Sequence, residues 1–554
     1  MKSLTAFSQV LIQDMGERCG VCTIRDRKRV AERVEHEGIS FLTITLPAFA
    51  KDFERSLERE QVADDQFPGF SRTGGLPRFL GGFLRLVFDA KTGSLLDSPS
   101  AEAIRAIRQI TMAFGKVLLP CSDERVRAAY EGYLQCEQDL ASLVLPELSS
   151  FRRVAGLLYG RIFDRVQQDL LDNQLVPKHG PGATADKLRG NAKYYVKQWP
   201  GRLEPFMPAG EYLLPNWRYW DELDQIEILE PGNEMPVKVI TVPKTLKTPR
   251  IIAVEPTCMQ YAQQALSRAF VEGIEGDNLL SPLIGFTDQL PNRELARIGS
   301  QTGELATLDL SEASDRVSNA LVVALLSRYP DLSGAVQGCR TMNACVPGAG
   351  VIPLQKFASM GSALTFPVEA MVFMTIIALA WEERSGHQLS VKDVKSLAGR
   401  VRVYGDDLIV PVDLAPGVMR LLQAYGLKVN QTKSFLNGSF RESCGGDYYR
   451  GEWVTPVRVR QVFPTSLKNA EAVASTVSLR NQLYELHAPR STAFLDDLLE
   501  KVLPVYPHLP VGHAALGRWT YDPVIPDRMH KDLHKPVVKA YSLRSQQPFN
   551  GVDD

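Results

Sequence analysis

Two adjacent acids, Asp406 and Asp407, stand between apolar, β-branched runs: Val401-Arg402-Val403-Tyr404 before them and Leu408-Ile409-Val410 after. Such runs read as hairpin strands, and Gly405-Asp406 supplies a two-residue turn in which glycine accepts positive φ. Both carboxylates then sit at a hairpin tip. Keeping two neighbouring anions charged at a partly buried tip requires compensation, most simply a hard divalent cation with oxygen ligands. An exposed acidic turn is the alternative.

Upstream, Leu305-Ala306-Thr307-Leu308-Asp309-Leu310 reads as a short strand with an acid near its end. An acid inside an apolar strand is costly unless something pairs with it. Ser311, Ser314 and Asp315 follow as candidate helix caps before the periodic apolar positions Val317, Ala320, Leu321, Ala324 and Leu325. A strand-end Asp beside a hairpin-tip Asp pair is what two-metal phosphoryl transfer requires. One ion lowers the pKa of an attacking 3′-hydroxyl while the other stabilises the leaving pyrophosphate.

Three segments in order, Asp309-Leu-Ser-Glu-Ala-Ser-Asp315, Ser359-Met-Gly-Ser-Ala-Leu-Thr-Phe366 and Tyr404-Gly-Asp-Asp407, resemble palm motifs A, B and C of RNA-dependent RNA polymerases. More narrowly, they resemble the replicase subunit of levivirus-type single-stranded RNA bacteriophages. Thr241-Val-Pro-Lys-Thr-Leu-Lys-Thr-Pro-Arg250, Thr287-Asp-Gln289 and Phe440-Arg-Glu-Ser-Cys-Gly445 extend the resemblance, which spans residues 237 to 460. A series in family order is far more specific than one tetrapeptide.

The resemblance implies an α+β right-hand polymerase with fingers, palm and thumb and an antiparallel palm sheet carrying the acids. It implies RNA-templated RNA synthesis from ribonucleoside triphosphates, replicating and transcribing a phage single-stranded RNA genome. Asp309, Asp406, Asp407 and the Leu310 carbonyl resemble the ligands of two Mg²⁺ ions, with Mn²⁺ able to substitute. Asp315 resembles the acid that senses the ribose 2′-hydroxyl, and no aromatic ring between Asp309 and Asp315 offers the bulky gate of a reverse transcriptase.

In motif B, Gly361 is read as a pivot and Ser362 and Thr365 as hydroxyls that meet a nucleotide or template sugar; the family usually carries Asn where Ser362 stands. Capping the following helix is the competing role for Ser362. Lys244, Lys247 and Arg250 resemble motif F cations that grip the nucleotide phosphates, with a solvated basic edge strand as the alternative. Lys433, ahead of Lys428, resembles the motif D lysine that protonates pyrophosphate. In the motif E region Arg441 is expected to contact phosphate and Cys444 to pack.

The 554 residues are 44% hydrophobic and support two to four subdomains. Lys+Arg 63 against Asp+Glu 64 leaves a net charge of −1, so any nucleic-acid surface must be a local basic channel. The expected division is an N-terminal region with fingers (1–236), fingers and palm with motif F (237–300), palm with motifs A to E (301–465), and thumb with the C-terminal region (466–554). Within 176–236, Lys193, Tyr194, Tyr195, Lys197, Trp199, Arg202, Trp217, Arg218 and Tyr219 form a candidate template-entry surface, although such rings more often fill cores.

The longest apolar run, Ala370 to Trp381, is too short to span a bilayer and reads as a buried helix, and no membrane association is expected. The N-terminus carries no long apolar stretch of the secretory type, and the eight scattered cysteines read as unpaired thiols. The expected partners are single-stranded RNA template, nascent RNA and rNTPs in the cytoplasm of an infected bacterium. The resemblance adds host translation elongation factors Tu and Ts and a ribosomal protein. A reverse transcriptase and a non-catalytic RNA-binding protein on a polymerase scaffold are the competing readings.

Overall fold

The computed structural model describes residues 2–544, and in them the chain forms two compact units. The first gathers residues 2–125, 243–249 and 448–544; the second gathers 126–242 and 250–447. The four consecutive segments anticipated above do not map one to one onto these units, since 1–236 contributes to both. Residues 545–554 of the anticipated thumb lie outside the described residues.

In the first unit the helix Lys2–Cys19 packs against the helices Ala101–Met112 and Pro489–Glu500. Phe7 lies at the centre of that junction, within 5.3 to 6.1 Å of the Phe114, Phe463 and Phe494 rings. Ile104, Ile107 and Ile110 are buried on one face of Ala101–Met112, as their 3.6-residue spacing predicts.

The second unit holds the motifs. The elements that bear on the site are, in chain order, α1 (Asp123–Ala141), α2 (Ser149–Leu171), β1 (Val237–Val242), β2 (Arg250–Val254), α3 (Thr257–Glu275), β3 (Leu305–Ser311), α4 (Ala313–Arg316) and α5 (Asn319–Leu325). There follow β4 (Asn343–Val346), β5 (Gly350–Pro353), α6 (Thr365–Ser385), β6 (Arg402–Tyr404), β7 (Asp407–Pro411) and β8 (Lys428–Val429). One four-stranded sheet runs β6-β7-β3-β8 with every pairing antiparallel, and a second runs β2-β1-β4-β5.

Helix α6 is apolar all round, and Pro367 through Ala380 are buried without a break. It is long and apolar enough to cross a membrane by length and composition, yet it is packed inside this unit, where a helix without a polar face belongs. Tyr159 of α2, fully buried, donates a hydrogen bond to the Met371 carbonyl of α6 at 2.9 Å. The β7 residues Leu408, Ile409 and Val410 are buried as well, so the hairpin arm behind the acids is rigid core.

The predicted strand 305–310 is β3, but the helix expected from Val317 onward is broken. Backbone pairing of Ser318 with Lys356 separates α4 from α5, and Ser318 Oγ caps α5 by accepting from Leu321 N. None of Ser311, Ser314 and Asp315 caps a helix; Glu312, with φ +55, stands at the start of α4.

Arg441 also departs from the expected role. Its guanidinium is fully buried and donates to five carbonyls, those of Leu305, Leu436, Asn437, Gly438 and Phe440. It is a strut between the start of β3 and the turn before residue 440, not a phosphate contact. Arg441→Met would strand several buried acceptors and should lower unfolding free energy by about 3 kcal/mol, read from urea denaturation.

Candidate active site

β3 and β7 pair so that Asp309 lies directly opposite Asp407, and Tyr404 pairs with Asp407 across the β6–β7 hairpin. The turn is therefore Gly405-Asp406, as the spacing predicts, with Gly405 at φ +56. A Cβ at Gly405 would fall 2.2 Å from the Phe366 ring, so the turn passes close beneath motif B. Phe366 meets the Tyr404 and Phe286 rings edge-on at 5.3 and 5.7 Å, and Tyr404 donates its hydroxyl hydrogen to the Phe286 carbonyl at 2.9 Å.

Directly opposed like charges destabilise a strand pair. Here burial and the neighbouring Asp406 push the Asp407 carboxyl up to about 7, against the downward pull of the Cys444 backbone amide, which donates to Oδ2 at 3.0 Å. Burial raises Asp309 too. Lys433 and the Asn430 side-chain amide pull the other way, at 3.5 Å from Oδ1 and 2.7 Å from Oδ2, while Asp406 and Glu442 push up. Asp406 itself is exposed at the tip.

Burial acts to lower the Lys433 ammonium but is outweighed by Glu442, Asp309, Asp407 and Asp406, which hold it above the ordinary lysine range. Lys428, by contrast, sits in β8 opposite Ser311 and acts on Asp139.

The oxygen donors suit a hard divalent cation, and the upward-shifted carboxyls are those that such a charge would relieve. As placed, the oxygens of Asp309 and Asp407 are turned to Asn430, Lys433 and Cys444. Among the described residues no three Asp, Glu, His or Cys side chains stand close enough together to hold an ion. Ion binding therefore requires these carboxylates to turn from those partners. Leu310 lies between Asp309 and Ser311 in β3, opposite Val429, its side chain in the core.

Motif B is fixed by backbone. Gly361 has φ +134, and a Cβ there would lie 1.9 Å from the Ala253 carbonyl of β2, so no side chain fits. Ser362 Oγ donates to Gln263 Oε1 at 3.0 Å and accepts from Leu364 N, while Leu364, not Ser362, is the N-cap position of α6. Thr365 Oγ1 donates to the Ser359 carbonyl at 2.8 Å. Both hydroxyls are thus satisfied within the protein. Asp315 bonds through Oδ1 to Lys356 at 3.0 Å.

Of the cations expected to grip phosphate, Arg250 opens β2, the edge strand of the second sheet, and is exposed. Lys244 and Lys247 are exposed on 243–249, which is counted with the first unit; there Thr245 and Leu246 carbonyls accept from Cys121 and Arg125. The aromatic region 193–219 divides. Trp199 and Lys193 are buried and Arg202 is ion-paired with Glu234, whereas Tyr194, Tyr195, Trp217 and Tyr219 are exposed.

Three participants carry no sequence signal of their own, Asn430, Glu442 and the Cys444 amide, and a fourth, Glu369, carries one that the sequence reading passes over. Glu369 is buried in α6, its Oε2 has no hydrogen-bond partner, and burial followed by Asp406 and Asp315 raises it well above the carboxylate range. It is the single acid within the buried stretch Pro367–Ala380, and that is the signal that marks it.

Residues 231–488 match the family described as RNA replicase, beta-chain. Over that span the chain is similar to RNA replicase beta-chains. The span contains all three acids, motif B and Lys433. The chain is 38% identical over 223 residues to the RNA-directed RNA polymerase beta chain of Escherichia phage MS2, covering 40% of this chain and 37% of that one. It is 36% identical over 318 residues to the RNA-directed RNA polymerase subunit beta of Enterobacteria phage SP, covering 55% and 50%. In both cases the match takes in half or less of the relative's own length. An RNA-dependent RNA polymerase of BmCPV at elongation state aligns with 73% of this chain and 38% of its own, at TM-score 0.43 and 11% identity.

Behind the replicase-like motif B, Gln263 also hydrogen-bonds Glu255, which is fully buried, takes a bond from Thr341 Oγ1 and has its carboxyl pushed up by burial to about 7. A carboxyl raised on folding contributes stability below its unfolded pKa that is lost as pH rises through the folded value. Wild-type stability relative to Glu255→Gln should therefore fall between pH 4.5 and 7. The fall should be no more than about 3 kcal/mol, measured by urea denaturation across that range.

Proposed function

We propose that the chain is an RNA-directed RNA polymerase that extends RNA on a single-stranded RNA template by two-metal nucleotidyl transfer. The observation that carries the reading is the register placing Asp309 opposite Asp407, beside Asp406, within the segment matched to replicase beta-chains. Asp309, Asp406 and Asp407, with the Leu310 carbonyl, would hold the ions. A bound Mg²⁺ pair, with Mn²⁺ as substitute, supplies Lewis-acid charge at the attacking and leaving oxygens.

The remaining chemistry belongs to side chains. Arg250, in the unit that holds the acids, binds the triphosphate, and Gly361, Ser362 and Thr365 shape the sugar and template side of the site. Asp315 accepts from the ribose 2′-hydroxyl. The 3′-hydroxyl gives its proton to solvent as its oxygen bonds to the α-phosphorus, the α–β phosphoanhydride bond breaks, and the Lys433 ammonium gives its proton to the departing pyrophosphate and regains one from solvent. Its raised pKa keeps Lys433 charged beforehand.

The chain works in the cytoplasm of an infected bacterium on a phage RNA genome, and it assembles there with elongation factors Tu and Ts and a ribosomal protein. The lack of an aromatic gate between Asp309 and Asp315 favours this reading over reverse transcription. Primer-independent incorporation of labelled rNTPs on a structured single-stranded RNA tests the activity, with the isolated chain and host extract compared.

Asp406→Asn or Asp407→Asn should lower Mg²⁺-dependent incorporation on the order of 100-fold or more while the variant stays folded by thermal melting. Retained synthesis in either variant contradicts the assignment. Lys433→Met should lower kcat by about 100-fold while KM for rNTP changes little, which single-turnover kinetics would resolve.

A further inference from the structure

Asp315 is anchored by a side chain that none of the motifs assigned above includes. Lys356 is completely buried, with Nζ 3.0 Å from Asp315 Oδ1, 3.1 Å from Glu137 Oε1 and 3.6 Å from the centroid of the Tyr133 ring. Its backbone is pinned from two sides, by bridging to Ser318 and by Arg340 Nη2 donating to its carbonyl at 2.7 Å. A buried ammonium costs several kcal/mol of solvation unless it is fully paired, and two carboxylates and a ring face pair it here.

The second partner, Glu137, lies on α1 with Tyr133 and Cys136, spaced as one helical face. Cys136 Sγ donates to the Asp315 carbonyl at 3.1 Å, so the same face holds Asp315 by main chain as well. Tyr133 Oη shares a hydrogen bond with Ser359 Oγ at 3.1 Å, and the Ser359 carbonyl accepts from Thr365. One chain of contacts therefore joins the motif A acid to the motif B hydroxyl.

We propose that Lys356 is a positioning residue for ribose selection: by occupying Oδ1 of Asp315 it presents Oδ2 to the 2′-hydroxyl of an incoming ribonucleoside triphosphate. The proposal rests on the polymerase reading of this site. Oδ2 makes no hydrogen bond among the described residues, and the Asp315 side chain is 18% exposed. A carboxylate oxygen only accepts and a 2′-hydroxyl can donate; a deoxynucleotide would leave this anionic acceptor unpaired. Sites built around a substrate hydroxyl discriminate strongly against the analogue that lacks it. Without the ammonium, the Asp315 carboxylate can rotate and both sugars are received more nearly alike.

The test uses the full chain in the preparation in which wild type is active. It compares kcat/KM for CTP and dCTP opposite one template base in wild type, Lys356→Met, Lys356→Arg, Glu137→Gln and Asp139→Asn. Lys356→Met should lose about tenfold or more of the ribose preference, chiefly through a raised KM for CTP, and Lys356→Arg should recover part of it. Asp139→Asn removes an ion pair with Arg316 on the same helix without touching Lys356, and it should leave the ratio unchanged.

An unchanged ratio in folded Lys356→Met overturns the proposal, as does an equal loss in Asp139→Asn. If Lys356→Met does not fold by thermal melting, Glu137→Gln decides: a smaller loss of preference supports the lock and an unchanged ratio overturns it. Wild type that incorporates neither nucleotide refutes the polymerase reading itself, and this proposal falls with it.

Discussion

Two carboxylates held face to face on neighbouring strands are the constraint around which the second unit is built. Asp309 and Asp407 are in direct register, a pairing that a sheet avoids when nothing opposes the repulsion. Everything close by bears on that repulsion: Lys433 and Asn430 draw charge toward Asp309, and the Cys444 amide does so for Asp407. Burial works against them, raising both acids and pushing Asp407 up to about 7. A cluster of this kind is poorly suited to a purely structural role, because apolar residues in the same register would pack with no electrostatic cost.

The surroundings keep the acids from relaxing apart. The hairpin arm behind them is buried, α6 runs through the core without a polar face, and the turn at Gly405 lies so close to Phe366 that a methyl group would not fit. Arg441 ties the start of β3 to the turn ahead of residue 440, and the Gly361 pivot is seated against β2 where no Cβ can enter. Rigid strands thus carry the acids, and the exposed Arg250 opens a strand of the same unit.

Much of this was legible in the residues, because the informative signals were local. Glycine before two acids between β-branched runs specifies a hairpin, and an acid in an apolar strand asks for a partner. Lys433, by contrast, follows only from the resemblance of residues 425–434 to motif D, since no residue beside it marks it. What stayed hidden joins residues far apart in sequence: Lys356 with Glu137, the Cys444 amide with Asp407, and Arg441 with Leu305. The stretch after β3 departs from its local pattern as well. Its polar residues look like caps, but backbone pairing of Ser318 with Lys356 breaks the helix there and makes Ser318 the cap. The phosphate role expected of Arg441 comes from the resemblance of its segment to motif E, whereas its burial under β3 and the preceding turn shows only in the fold.

The claim that the opposed acids exist to share a divalent cation is tested most directly by counting bound Mn²⁺ with electron paramagnetic resonance, in the full chain without nucleotide or RNA. Wild type should take up Mn²⁺ at this site, Mg²⁺ should compete it away, and Asp309→Asn combined with Asp407→Asn should abolish the site while the protein stays folded. Equal Mn²⁺ uptake by wild type and the double variant would contradict the account.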